Sequence, residues 1–173
     1  MRTLFAFVVV GFLLACTGYA YLKVTGLRGQ PEPSALETAV ARRVRALAVP
    51  ESFRTLPNPL PANDENVRAG MEHFAKYCAM CHTNDGSGTT SAIGRGLFPK
   101  PPDMRAAATQ NLTDGELFYI IENGVRFTGM PAFGDGDVNG PAASLAWQLV
   151  HFVRRLPKVT DDEIGEMESL NPL

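Results

Sequence analysis

The stretch KYCAMCHTNDGSG, Lys76 to Gly88, holds two of the chain's three cysteines and one of its three histidines. Two thiols three residues apart can close a disulfide, supply half a zinc site, act as a redox pair or tether a cofactor. A disulfide at this spacing closes almost no loop and adds little stability. Zinc asks for four ligands, commonly a second C-x-x-C or two further histidines. Here the remaining histidines are His73 and His151, so the fourth ligand would have to be an unusual one. A thioredoxin-like redox pair belongs in a βαβ setting, and the chain shows no convincing alternating strand pattern. The fourth reading is C-x-x-C-H, a covalent haem attachment pattern. Cys78 and Cys81, at i and i+3 near the end of a helix, present both sulfurs on one side. Thioethers can then form to one edge of a porphyrin, while the adjacent His82 places a ring nitrogen on the iron.

The elements around this stretch must hold it in place. A helix is predicted from Asn63 or Asp64, either of which can cap it. It runs through ENVRAGMEHFAKYC, with Val67, Gly70/Met71, Phe74 and Tyr77/Cys78 as its apolar stripe. Residues 83–111 carry repeated glycines and the cluster FPKPPDM and read as loop. Thr113 and Glu116 have capping-box spacing and open DGELFYIIEN, which Gly124 closes. Residues 125–140 are loop again. Pro141 suits the first turn of a last core helix, AASLAWQLVHFVRRL, ending at Pro157; Leu145, Leu149, Phe152, Val153 and Leu156 form its inward stripe. Thr160 and Glu163 cap a short acidic helix. The soluble part is therefore all-α, with short helices and long loops. A loop of some 25–30 residues is unusual in a compact domain unless it packs against something, and a large apolar cofactor would supply that core.

The first 59 residues hold seven Lys/Arg against three Asp/Glu, and the remainder nine against fifteen. An acidic C-terminal part argues against a nucleic-acid partner. Thr3 to Leu22 is twenty residues without a charge, long enough as a helix to cross a bilayer core of about 30 Å. A cleaved secretory signal and a lipoprotein signal with Cys16 in LLAC are the competing readings. The apolar run continues for six residues past Cys16, so an uncleaved anchor fits best. KVTGLRGQPEP is a Gly/Pro linker. Ser34 and Glu37 then open an amphipathic basic helix over 35–48, with Leu36, Val40, Val44 and Leu47 on one face and Arg42, Arg43 and Arg45 on others. This helix either lies on anionic headgroups or packs on the domain as a spacer. Pro50 to Pro61 holds four prolines and reads as an extended arm.

With Cys78-Ala-Met-Cys81-His82 followed by GLFPKPPDM, LFYIIENG, TGMPAF and LVHFVRRL, residues 62–157 resemble the class I monohaem c-type cytochromes. They are most similar to small membrane-anchored forms and to the haem-c subunits of cbb-type oxidases. The resemblance implies the class I cytochrome c fold, preceded by a single N-terminal transmembrane helix, and one covalent haem c. It divides the chain into an anchor (1–22), a linker (23–61), the cytochrome domain (62–157) and an acidic tail (158–173). It makes Met130, 48 residues after His82, the second axial ligand. Met104 is the rival, while Met71 reads as core. The resemblance further implies that Gly70 and Phe74 cross Leu149 and Phe152, and that a carbonyl of Pro99, Pro101 or Pro102 accepts from the ligand histidine. Arg95, Lys100 or Arg126 would face a propionate unless they are only solvated charges. Trp147 packs near the haem edge or simply between helices, and His73 and His151 receive no role. With both axial positions filled, the expected activity is one-electron carriage rather than catalysis, on the periplasmic side of a bacterial cytoplasmic membrane. The expected partners are redox proteins or a membrane respiratory complex. The alternative is a haem-based sensor or peroxidase-like protein in which Met130 is labile.

Overall fold

The computed structural model describes residues 2–29, 31–88 and 90–172. Among these the chain is helical throughout, with no strand. Helix α1 (Arg2–Thr25) is apolar, has no buried residue and is long enough to cross a membrane by length and composition. Helix α2 (Ala35–Ala48) begins at a complete Ser34/Glu37 capping box and ends before Pro50, and it too buries nothing. A short α3 (Glu51–Arg54) follows. Helix α4 (Asp64–His73), capped by Asn63, runs without a break through a π-helical turn (Phe74–Cys78) into α5 (Ala79–His82). After a long loop come α6 (Ala107–Gln110) and α7 (Asp114–Asn123), the latter opened by the Thr113/Glu116 capping box. Helix α8 (Pro141–Arg155) has Pro141 in its first turn, and α9 (Asp161–Leu170) begins at a Thr160/Glu163 box.

The core is built on the crossing of α4 with α8. A Cβ on Gly70 would stand 2.1 Å from the Gln148 carbonyl oxygen and 3.0 Å from Phe152 Cβ. Only glycine lets the two backbones approach this closely. Next to it Phe74 packs on Phe152 with centroids 5.2 Å apart, and Phe118 of α7 stacks on Trp147 of α8 at 4.0 Å. Trp147 is thus a helix-packing residue with only 4% of its surface exposed. Arg154 ties α6 and α7 to α8, donating to Asp114 Oδ1 at 2.9 Å and to the Gln110 carbonyl at 2.7 Å.

Several expectations change. The π turn inserts one residue into the α4–α5 register, through an i to i+5 bond from the Ala79 N–H to the Phe74 carbonyl. Tyr77 therefore faces out, and Ala75 and Ala79 face the core. On α8, Leu145 is exposed, and Ala146, Trp147 and Val150 join Leu149, Phe152, Val153 and Leu156 inside. The Pro50–Pro61 segment is not a free arm. Val49 is buried, and Phe53 lies against Phe118 and Tyr119 at 6.2 and 5.0 Å. Asn58 Nδ2 donates to the Trp147 carbonyl, and the His151 ring shares a 3.0 Å hydrogen bond with the Leu60 carbonyl. The acidic tail is likewise part of the body: Met167 is fully buried, and Glu163 and Glu166 pair with Arg155 and Arg68.

Replacing Gly70 with alanine should destabilise the protein by about 1–3 kcal/mol or more, as overpacking against a backbone that cannot retreat. Denaturant unfolding of the haem-loaded chain checks this, and a change below about 0.5 kcal/mol would show that the helices separate freely.

Candidate functional site

Cys78, Cys81 and His82 come together on one helical turn at the end of the α4–α5 run. Because α4 is fixed by Gly70 and Phe74, the turn is carried into place by the core. The two cysteines are not joined in a disulfide, and both are half-buried. Burial, reinforced by Cys81, pushes the Cys78 thiol up to about 12, and burial also raises Cys81. His82 is 7% exposed and lies 6.4 Å from the Phe74 ring. Burial pulls its pKa down to about 4, and the Pro102 carbonyl facing the ring offsets only part of that. The imidazole is therefore neutral at pH 7, as an iron ligand must be. Its Nδ1 is buried and completes no hydrogen bond within the protein.

The chain leaves this turn through Thr83, at φ 61°, and Gly86, at φ 74°. Asp85 organises the exit. Its Oδ1 accepts from the Thr83 hydroxyl at 2.6 Å, the Ser87 hydroxyl at 2.8 Å and the Ser87 N–H at 3.0 Å, while Oδ2 pairs with Arg105 at 3.0 Å. Desolvation works against the charge, but these donors together hold the carboxyl below its ordinary value. The Gly88 N–H donates to the His82 carbonyl at 2.8 Å, and the Met104 N–H to the Gly86 carbonyl at 2.9 Å. Further on, Ser91 donates to the Met80 carbonyl, and the Gly94 backbone lies against that of Cys81. The loop thus folds back over the C-x-x-C turn.

Met130 lies on a different loop, which hangs from α7. The Val125 N–H donates to the Met130 carbonyl at 3.1 Å, the Phe133 N–H to Ile121 at 3.1 Å and the Gly134 N–H to Glu122 at 3.0 Å. The Met130 N–H donates to Thr128 Oγ1 at 3.1 Å. The two loops meet where Leu97 packs over the Gly129 backbone, next to the methionine. Met104, the rival ligand, packs instead on the core cluster. Lys100 donates to the Gly29 carbonyl at 3.0 Å, and the Arg95 and Arg126 side chains are exposed. Large apolar side chains stay exposed on these loops, among them Ile93, Phe98, Phe127 and Phe133. A neutral buried imidazole, two unpaired cysteines one turn apart and exposed apolar side chains on the neighbouring loops fit a tethered haem.

Two residues of the site escaped sequence reasoning. Asp85 had a signal, since Asp before Gly marks a turn in which the side chain bonds the backbone two residues on. Glu122 had none. It is 7% exposed beneath the methionine loop, its Oε1 meets no partner, and burial followed by Asp135 raises its pKa.

The family model described as "Cytochrome C oxidase, cbb3-type, subunit III" matches residues 65–153. The chain belongs to this family. The cbb3-type cytochrome domain is a haem c domain with the cofactor covalently bound, and it transfers electrons. Among curated proteins, a quinohemoprotein alcohol dehydrogenase (ADH IIB) of Pseudomonas putida is 29% identical over 86 residues. That match takes in 50% of this chain but only 11% of the dehydrogenase.

The lowered carboxyl of Asp85 contributes stability that is complete above its ordinary value of 3.8 and is lost as the pH falls through its lower folded value. Asp85→Asn should therefore lower unfolding stability at pH 7 by about 1–3 kcal/mol. The gap to the parent protein should narrow below pH 3.8. Denaturation curves at neutral and acid pH measure both; a gap independent of pH would contradict the assignment.

Proposed function

We propose that this chain is a membrane-anchored monohaem cytochrome c that carries single electrons on the periplasmic side, as a shuttle or as a subunit of a respiratory complex. In this reading Cys78 and Cys81 would tether the haem covalently, and His82 and Met130 would hold its iron. The observation that carries it is the C-x-x-C-H turn itself, with its buried and neutral histidine. The haem supplies a one-electron couple; everything else is done by the chain. Burial keeps the proton off His82. The Pro102 carbonyl lies beside the ring and offsets part of that effect. The Val125 N–H donating to the Met130 carbonyl and the Met130 N–H donating to Thr128 hold the methionine segment, and a soft thioether paired with imidazole would favour a closed, relatively oxidising site. A closed site has no place for a substrate, so the chain acts as a carrier and not as an enzyme.

The apolar helix α1 is read as the anchor. Haem attachment of the C-x-x-C-H type takes place outside the bacterial cytoplasmic membrane, so the N-terminus stays inside and the domain faces the periplasm. The family description supports a place beside a terminal oxidase. The dehydrogenase relative supports a broader class in which such a domain serves another redox enzyme. Contact with a partner should be small and transient.

Met130→Ala should abolish the sulfur-to-iron charge-transfer band of the oxidised protein, lower its potential and open the reduced iron to rapid carbon monoxide binding. An unchanged band and potential would remove Met130 as a ligand. Fast carbon monoxide binding by the parent protein would favour the sensor or peroxidase-like alternative instead.

A further inference from the structure

Helix α2 carries its apolar residues on the side facing away from the protein. Leu36, Val40, Val44 and Leu47 fall on one stripe and are 73, 53, 59 and 70% exposed. The opposite side meets the domain. Thr38, Arg45 and Ala46 are half-buried there, the Ala46 carbonyl accepts from Arg54, and Arg45 feels the Glu116 carboxylate. A helix of a globular body normally turns its apolar stripe inward, so this one is built for a second apolar phase.

Its position says which phase. Only residues 26–33 separate the end of α1 from the Ser34 cap, a span of at most about 28 Å. The connection is also tied down. The Gly29 backbone lies against Gly96, and Lys100 Nζ donates to the Gly29 carbonyl at 3.0 Å. The domain is thus held within four residues of the end of α1. Cations outnumber the acidic Glu32 at this level: Lys23 in the last turn of α1, Arg28 donating to the Thr25 carbonyl at 3.1 Å, then Arg95 and Lys100 beside Glu32. On α2 itself Arg43 is exposed beside the stripe. An apolar stripe flanked by cations at the exit of a membrane helix has the chemistry of the anionic headgroup layer.

We propose that α2 is an in-plane interfacial helix that seats the haem domain on the anionic membrane surface beside its own anchor. The proposal rests on the reading of α1 as a membrane anchor. The domain is then held at a fixed height, because α2 leads through buried Val49 and half-buried Phe53 directly onto α7.

The test uses the full-length, haem-loaded chain with Cys16→Ser, in which thioether-linked cysteines take no label. Single nitroxide labels are placed at Val40→Cys, Arg42→Cys and Leu14→Cys. The protein is reconstituted in nanodiscs of phosphatidylcholine with a minority of phosphatidylglycerol. Power saturation compares access by oxygen with access by a water-soluble nickel chelate. The expected result is a lipid-like ratio at positions 14 and 40 and a water-like ratio at 42. Nickel access at position 40 should also rise several-fold when phosphatidylglycerol is omitted. A water-like ratio at 40 with a lipid-like one at 14 overturns the proposal and leaves the anchor standing. A water-like ratio at 14 overturns both. A label at 40 shielded from both probes means a protein covers the stripe, and also overturns it. Nickel access at 40 that ignores phosphatidylglycerol overturns the role given to the anionic charge.

Discussion

A side chain at position 70 has no room, because the Gln148 carbonyl occupies the space a Cβ would need. The interlocking of α4 and α8 at that point fixes the direction in which α4 continues. Four residues later Phe74 seats on Phe152, and the same run of helix, extended by a π turn, delivers Cys78, Cys81 and His82. The chemistry of the site depends on a contact that takes no part in it. A helix glycine costs about 1 kcal/mol in propensity, and here that cost is offset by the packing of two aromatic rings and the burial of most of α8.

More than its position sets the state of His82. Its burial suppresses the protonated form, and the loops around it supply order without regular structure. They are long, but they are hydrogen-bonded at many points: Asp85 at the exit from the cysteine turn, Gly86 to Met104, Ser91 back to Met80, and the methionine segment to the end of α7. Irregular chain of this length is expected where something large fills the space between loops. Ile93, Phe98 and Phe133 stay exposed on these loops.

Much of this was legible in the sequence because it is local. Three capping boxes, the proline that starts α8 and the glycine that ends α7 are short-range devices, and each stands where its residues place it. C-x-x-C-H is local in the same sense. The rest depends on tertiary contact. Four prolines between 50 and 61 signal an extended chain, and nothing nearby announces that Phe53 will find Phe118. The acidic composition of 158–173 conceals Met167, whose burial is decided by the surface it meets. The π turn at Phe74–Cys78 has no signal in the local sequence. Met130 was reached only through resemblance, since spacing cannot choose among six methionines.

The chain therefore combines a rigid helical crossing, a buried neutral imidazole and a segment before α4 that is packed down rather than loose. Its central claim is that the turn at 78–82 is where haem is bonded to the protein. Mass spectrometry of a proteolytic digest of the membrane-purified chain tests that most directly. The account predicts that the peptide containing Cys78 and Cys81 carries the mass of one haem and has no free thiol, while the peptide containing Cys16 carries none. A Cys78–Cys81 peptide of unmodified mass, or one joined only by a disulfide, would contradict it.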